Sequence, residues 1–323
     1  MEFFSLQGQI SDYYKGIRNM KPIPVIYILS TGRSGSTILD LLLGMHPAIW
    51  TLGEAQMLPS EVRENLKPCG CGKPVNECYF WRLILDSINF GEGNYPIEFF
   101  RKSRKDGKAV RWRYLKDILC RKTSYKLSKA AQEYGQNNAV FFEIVKNTAE
   151  ESIGYQLCWL VDASKDIYRL FWLQQSPLFN IRVIQLIKDP RAFVYSMTRN
   201  DPDNWSRVIR FSGRWFFQNM LFTYICRDPD LKNNFIKIRY EDLASSPELT
   251  MKRLGDWLGI EFSGLDLTQF RKHETHAIAG NPTRWKNSTI KLDESWKNNM
   301  PVRSARIAWI FNLPLARLYG YRR

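Results

Sequence analysis

The sequence predicts an α/β protein whose core is a largely parallel sheet covered by helices on both faces, and three observations carry this. Five short aliphatic runs, Val25 to Leu29, Ile49 to Leu52, Leu157 to Val161, Arg182 to Ile187 and Phe235 to Ile238, are nearly continuous in apolar character. Each is bounded by polar residues or glycine, the pattern of strands buried on both faces. Helical spacing falls between the runs, and alternation of strand with helix implies parallel pairing through crossovers. With 323 residues, 44% of them hydrophobic and 14% aromatic, the chain is long enough to bury a large core.

In chain order, residues 1 to 21 carry Asp12, Lys15 and Arg18 among scattered aromatics, without a compact apolar stretch or a small-residue cleavage site. A secreted product is therefore not expected, and a cytoplasmic one is. A helix over Thr37 to Met45 follows the first strand directly. Another, Ala192 to Arg199, follows the fourth, and Pro247 to Leu258 has helical spacing behind a Ser-Ser-Pro-Glu start. The least regular stretch, Asn89 to Asn138, holds a basic cluster around Arg101 to Lys108 and two weakly amphipathic segments. It reads as part of a mostly helical insertion, about residues 60 to 155, that shapes an acceptor pocket. The tail from Val302 to Arg323 mixes Trp309, Ile310, Phe311 and Leu315 with five arginines. A docking helix with exposed arginines is the favoured reading, and peripheral contact with an acidic membrane the alternative. No run approaches the roughly 18 consecutive apolar residues of a membrane-spanning helix. The expected organisation is one domain over 1–323, with a core at 24–300.

The formal net charge is +15, from 47 Lys and Arg against 32 Asp and Glu. Such a chain attracts anions, and charge alone does not say which. Three of the six cysteines, Cys69, Cys71 and Cys78, lie close together. A structural zinc site wants four ligands, and neighbouring sequence offers no fourth, so the expectation is free thiols, with a local disulfide as alternative and no metal.

The most informative segment runs from Val25 through Gly32-Arg33-Ser34-Gly35-Ser36-Thr37, a buried strand entering a glycine- and serine-rich turn that opens a helix. Glycines let the backbone approach a ligand, and the free N–H groups of a first helical turn face the same point with the positive end of the helix dipole. Ser34, Ser36 and Thr37 add hydroxyl donors, and Arg33 adds a cation. A nucleotide triphosphatase or kinase would instead have a lysine before the final Ser or Thr, reaching the outer phosphates. Ser36 stands in that place. The turn is therefore P-loop-like but fits a phosphosulfate, which carries less charge than a triphosphate and needs no metal.

The turn resembles the 5′-phosphosulfate loop of sulfotransferases that use adenosine 3′-phosphate 5′-phosphosulfate (PAPS), and further segments match in order. His46 to Glu54 is similar to the family segment ending in a catalytic Gly-Glu, and Val161 to Lys165 to its strand ending in Asn-Lys or Ser-Lys. Leu186 to Ser196 resembles the 3′-phosphate segment, Ile238 to Leu243 the Tyr-Glu-Asp-Leu segment, and His276 to Arg284 the nucleotide-covering loop of bacterial members. The resemblance is to bacterial sulfotransferases related to the tyrosylprotein and carbohydrate enzymes, and covers about residues 24 to 300. It implies a P-loop-like three-layer α/β/α fold around a five-stranded parallel sheet. It also implies a catalytic set of Glu54 as base, with Arg33 and Lys165 on the bridging oxygen and the sulfuryl group. Gly32, Arg33, Ser34, Gly35, Ser36 and Thr37 would hold the 5′-phosphate, and Lys188 and Ser196 the 3′-phosphate, with Arg191, Asn281 and Arg284 as further nucleotide contacts.

The family usually has arginine at the position of Lys188; lysine is a point charge without the bidentate fork. Arg191 either shares that load or pairs with a helix carboxylate. Tyr240, Glu241 and Asp242 read as structural. His46, His273 and His276 read first as hydrogen-bonded structural histidines, His276 having the better claim to a site role. Two other functions compete. The Cys158 to Asp162 run could imitate the magnesium-holding strand of a kinase or triphosphatase, and the +15 charge could serve a non-catalytic anion- or nucleic-acid-binding protein. The motifs gather at strand ends instead of forming a basic stripe with stacking aromatics, so no nucleic acid partner is expected. The expected partners are the nucleotide donor and a hydroxyl-bearing acceptor, carbohydrate, lipid-linked or small.

Overall fold

A computed structural model describes residues 21–65, 67–88, 115, 118–120, 125–228, 231, 233–285 and 289–322. The basic cluster at 101–108, most of the irregular stretch at 89–138 before Tyr125, and the first twenty residues lie outside the described residues. Five strands form one parallel sheet: β1 (Ile23–Ser30), β2 (Ile49–Thr51), β3 (Trp159–Asp162), β4 (Phe179–Ile187) and β5 (Phe235–Arg239), in the order β2-β3-β1-β4-β5. All five predicted runs are strands, with boundaries within a few residues. Helices flank them, as the three-layer reading requires: α1 (Ser36–Leu43), α2 (Leu58–Glu64), α3 (Tyr79–Ser87), α4 (Tyr125–Ile153), α5 (Ile167–Gln174) and α6 (Pro190–Thr198). These are followed by α7 (Trp205–Ile225), α8 (Tyr240–Ser245), α9 (Pro247–Leu258), α10 (Ser295–Asn299) and α11 (Val302–Leu318). In β1, Val25, Ile26, Ile28 and Leu29 are fully buried, each side chain stabilising the fold by about 1.5–3 kcal/mol.

The described chain divides into two compact units that interleave along the sequence, β1 passing from one to the other after Tyr27. The first holds residues 47–182 and 274–280 besides the start of β1. Here β3 is paired on both sides, with Leu160 opposite both Val25 and Trp50. The long helix α4 packs against α3 and α5, with Trp81, Phe141, Phe142 and Trp172 buried. The predicted insertion is thus helical in α2, α3 and α4, with a cysteine-bearing turn between α2 and α3.

The second unit holds residues 28–46, 183–273 and 281–323. There β4 pairs with β5 from Val183–Phe235 to Ile187–Arg239. The tail is a docked helix: α11 packs on α6 and α7, and Trp309, Ala308 and Ala316 join Phe193, Val208 and Trp215 in one core cluster. Arg303, Arg306 and Arg317 stay exposed, as the docking reading expects. Among the described residues no helix is long and apolar enough to cross a membrane.

Two buried charges fix the loop after β3. Arg169 donates from Nε to Asp162 Oδ2 at 2.8 Å, and from Nη1 to Tyr134 Oη at 2.6 Å and Asn138 Oδ1 at 2.8 Å. Asp162 also accepts from the Ser164 N–H at 2.9 Å, and both side chains of the ion pair are almost inaccessible. Burial disfavours the Arg169 charge, but Asp162 and the surrounding groups more than compensate and hold its pKa above the ordinary value. The rival reading of Asp162 as a magnesium ligand is corrected here, because its carboxylate is already committed to this guanidinium. Removing one partner of such a pair strands the other in the interior. Asp162→Ala is therefore expected to lower the unfolding free energy by about 3–5 kcal/mol in denaturant titration; a loss under about 1 kcal/mol would contradict the role given to the pair.

Candidate active site

In the first unit, the two residues read as base and cation meet. Lys165 Nζ donates to Glu54 Oε1 at 2.6 Å, across 111 positions of sequence, and both side chains are largely but not wholly buried. The backbone aims Glu54. Gly53 sits at φ +67°, and a Cβ there would collide with the Ile278 carbonyl and N–H, so the position excludes side chains. The Glu54 N–H donates to Ile278 O at 2.9 Å, the Ile278 N–H to Leu52 O at 2.8 Å, and the Ala163 N–H to Gly53 O at 2.7 Å. The chain before Glu54 is thus held from two sides. Lys165 follows Ser164, whose hydroxyl accepts from the Gln56 N–H at 3.1 Å. Lys165 itself has φ +62°, a left-handed conformation that costs a side-chain-bearing residue about 1–2 kcal/mol.

The second unit carries the turn. Arg33 is exposed and also left-handed, at φ +69°. Of the four non-glycine residues with positive φ among those described, Arg33 and Lys165 are two, so backbone strain collects at residues the sequence marks as functional. Thr31 and Ser34 share a buried hydroxyl pair at 2.6 Å. Gly35 caps α1 at φ +87°, and the Ile38 and Leu39 N–H groups both donate to its carbonyl. An added Cβ would stand 2.5 Å from Tyr240 Cδ2. Ser36 is buried at the helix start, and the Thr37 hydroxyl accepts from the Asn281 N–H at 3.2 Å, tying the predicted covering loop to the turn.

Tyr240 also carries the next element of this unit. Lys188 Nζ lies 4.4 Å from the centre of its ring, a cation–π contact. Lys188 is 6% exposed; burial lowers its pKa, partly offset by Asp293, Glu241 and Asp189, while Arg199 adds to the lowering. Glu241 accepts from the Asp189 N–H at 2.9 Å and from the Tyr321 hydroxyl at 2.7 Å, so the Tyr-Glu-Asp segment braces the strand end that bears Lys188. Arg191, weighed as a nucleotide contact, has its guanidinium spent elsewhere. It binds both oxygens of Asp189 at 3.0 and 2.7 Å and the Arg322 carbonyl at 2.9 Å, and the Trp296 and Trp309 rings lie 4.5 Å away. Ser196 bonds back to Phe193 O at 2.7 Å, and the largely buried Arg284 lies 4.7 Å from the Trp285 ring.

Two features escaped the sequence reading. Arg214 Nη2 lies 3.7 Å from where a Cβ on Gly32 would stand, bringing a second guanidinium to the turn from the interior of α7, where no motif marks it. The expectation that the three clustered cysteines lack a fourth partner is corrected by His276, whose Nδ1 is 3.3 Å from Cys78 Sγ. A separation of 198 positions hid that contact.

The chain is similar in sequence and in fold to known sulfotransferases. Residues 159–264, which include Lys165, Lys188, Arg191 and Ser196, match the model of a sulfotransferase family. Carbohydrate sulfotransferase 1 of Danio rerio is 31% identical over 104 residues, 27% of this chain and 25% of that protein. Human carbohydrate sulfotransferase 3 is 26% identical over 170 residues, covering 46% and 35%, so these matches span a quarter to about a third of the relatives' own length. Human carbohydrate sulfotransferase 6 is 23% identical over 343 residues, 92% of this chain and 80% of the relative. The fold is similar to the sulfotransferase domain of the Synechococcus PCC 7002 olefin synthase, with TM-score 0.54 and 20% identity over 94% of this chain and 97% of that domain. It is also similar to the sulfotransferase domain from the curacin biosynthetic pathway, with TM-score 0.51 and 22% identity over 94% and 99%. Taken together, these show a chain similar to sulfotransferases, in sequence over residues 159–264 and in fold over most of its length.

Gly35→Ala tests the packing of the turn. The left-handed backbone and the collision with Tyr240 together are expected to cost about 1–3 kcal/mol of unfolding free energy. Pairing it with Tyr240→Ala should recover the steric part; strictly additive losses would contradict the contact.

Proposed function

We propose that the chain transfers a sulfuryl group from PAPS to a hydroxyl of an acceptor, a carbohydrate or small molecule. The acceptor O–H attacks sulfur in line, the bond from sulfur to the bridging oxygen breaks, and its electron pair leaves with adenosine 3′,5′-bisphosphate. The acceptor proton passes to Glu54. Arg33 and Lys165 stabilise charge on the bridging oxygen and the sulfuryl group, where preorganised cations count most. The turn from Gly32 to Thr37 takes the 5′-phosphate. Lys188 and Ser196 take the 3′-phosphate, Asn281 and Arg284 close over the nucleotide, and Arg191 acts through Asp189 to hold the Lys188 segment.

The observation that carries this reading is the 2.6 Å pair of Glu54 and Lys165, which puts a base and a cation within one hydrogen bond of each other after two different strands. The names of the carbohydrate sulfotransferases matched above support the acceptor class. A kinase reading gains nothing from the same residues, since Ser36 replaces the phosphate-reaching lysine and Asp162 is bound to Arg169.

Transfer of isotope from labelled PAPS to a cell-extract acceptor tests the reaction. Glu54→Gln is expected to cut turnover by about 10²- to 10⁴-fold while donor affinity holds; undiminished turnover would remove Glu54 from the role. Lys188→Ala is expected to weaken adenosine 3′,5′-bisphosphate binding by about 1.5–3 kcal/mol in calorimetry. Unchanged affinity would move the 3′-phosphate to other cations.

A further inference from the structure

Four side chains that the proposed reaction does not use converge inside the first unit. Cys69, Cys71, Cys78 and His276 place their ligating atoms all within 4.8 Å of one another. Cys69 and Cys78 are fully buried, His276 is 2% exposed, and Cys71 is half-buried. All three cysteines are free thiols. We propose that these residues form a Cys₃His site for a structural zinc ion, which fixes the segment that aims Glu54.

The distances among Cys69, Cys78 and His276 fit the ion, and Cys71 Sγ lies within 4.8 Å of all three. With Zn–S about 2.3 Å and Zn–N about 2.0–2.1 Å, the corners of a tetrahedron stand roughly 3.8 Å apart for two sulfurs and roughly 3.6 Å for sulfur and nitrogen. Cys69 Sγ and Cys78 Sγ are 3.6 Å apart, and His276 Nδ1 is 3.9 Å from the first and 3.3 Å from the second. Soft thiolates with one imidazole favour zinc over hard cations, and four protein ligands close the site to substrate. Binding displaces three thiol protons to solvent and involves no redox change.

The surroundings are built as a metal site requires. His276 presents Nδ1 to the sulfurs while Nε2 lies 3.1 Å from the Tyr79 hydroxyl, the kind of outer partner that fixes a ligand's tautomer and ring plane. The imidazole stacks 5.0 Å from Phe80, and its backbone carbonyl accepts from Trp81 Nε1 at 2.7 Å. The Cys69-Gly70-Cys71-Gly72 turn closes on itself, with the Gly72 N–H donating to Cys69 O and the Cys69 N–H to Lys73 O. Gly70 lies directly on the Thr275 backbone, where a side chain would collide. Two residues beyond His276, Ile278 makes the backbone bonds to Leu52 and Glu54. A metal joining 69–78 to 276 therefore anchors the segment whose Ile278 bridges to Leu52 and Glu54; only this last consequence rests on the proposed role of Glu54.

The test reads metal and not turnover. Full-length protein purified without chelator is expected to contain about one zinc per chain by mass spectrometry. Exchange with cobalt should give the visible bands of a tetrahedral ion with thiolate charge transfer. Cys71→Ser, which alters the most exposed ligand, and His276→Gln are each expected to lose stoichiometric zinc, with circular dichroism checking that the fold persists. Wild-type protein without bound zinc or a cobalt spectrum, a Cys69–Cys78 disulfide by peptide mapping, an iron–sulfur chromophore, or full zinc retention in both folded variants would overturn the proposal.

Discussion

The short backbone splice at Gly53 and Glu54 is the constraint on which the rest depends. The Gly53 carbonyl accepts from Ala163 beyond β3, while Glu54 donates to Ile278 and Ile278 donates back to Leu52. Because Gly53 is left-handed and has no room for a Cβ, the carboxylate that follows is positioned by main chain, which moves less than a long side chain does. Lys165 reaches it from the loop after β3, which the Asp162–Arg169 pair and the Ser164 contacts hold and in which Lys165 itself is left-handed. The buried network is costly to assemble, and it lies beside the Glu54–Lys165 pair.

In the second unit the corresponding organiser is a ring instead of a splice. Tyr240 closes the space beside Gly35 and lies under the Lys188 ammonium, while its neighbour Glu241 satisfies the Asp189 N–H. One segment after β5 thus braces both the turn and the residue assigned to the far phosphate. Lysine at 188 is compatible with this arrangement: a compact, buried ammonium sits over the Tyr240 face.

The sheet was legible in the sequence because buried parallel strands announce themselves as short unbroken apolar runs, and all five such runs are strands. The turn at Gly32 to Thr37 was legible for the same reason: its glycines and hydroxyls are contiguous. What could not be read were pairings between distant positions. The resemblance put Glu54 and Lys165 in one catalytic set without their direct contact, and nothing near Cys78 points to His276. Arg214 approaches the turn from the middle of a helix with no local signal. Arg191 sits in a motif that suggested phosphate, yet the carboxylate two residues earlier and two indoles from the C-terminal region claim it. Sequence spacing reports what a segment can form; which cation meets which anion is decided by the tertiary fold.

The central claim is that the turn bearing Arg33 accepts a nucleotide with phosphates at 3′ and 5′, independently of magnesium. Calorimetric titration of the unmodified protein with adenosine 3′,5′-bisphosphate in magnesium-free buffer, beside a titration with ATP and magnesium, tests it most directly. The account predicts saturable binding in the first titration and none of comparable strength in the second. Magnesium-dependent ATP binding with no response to the bisphosphate would contradict it.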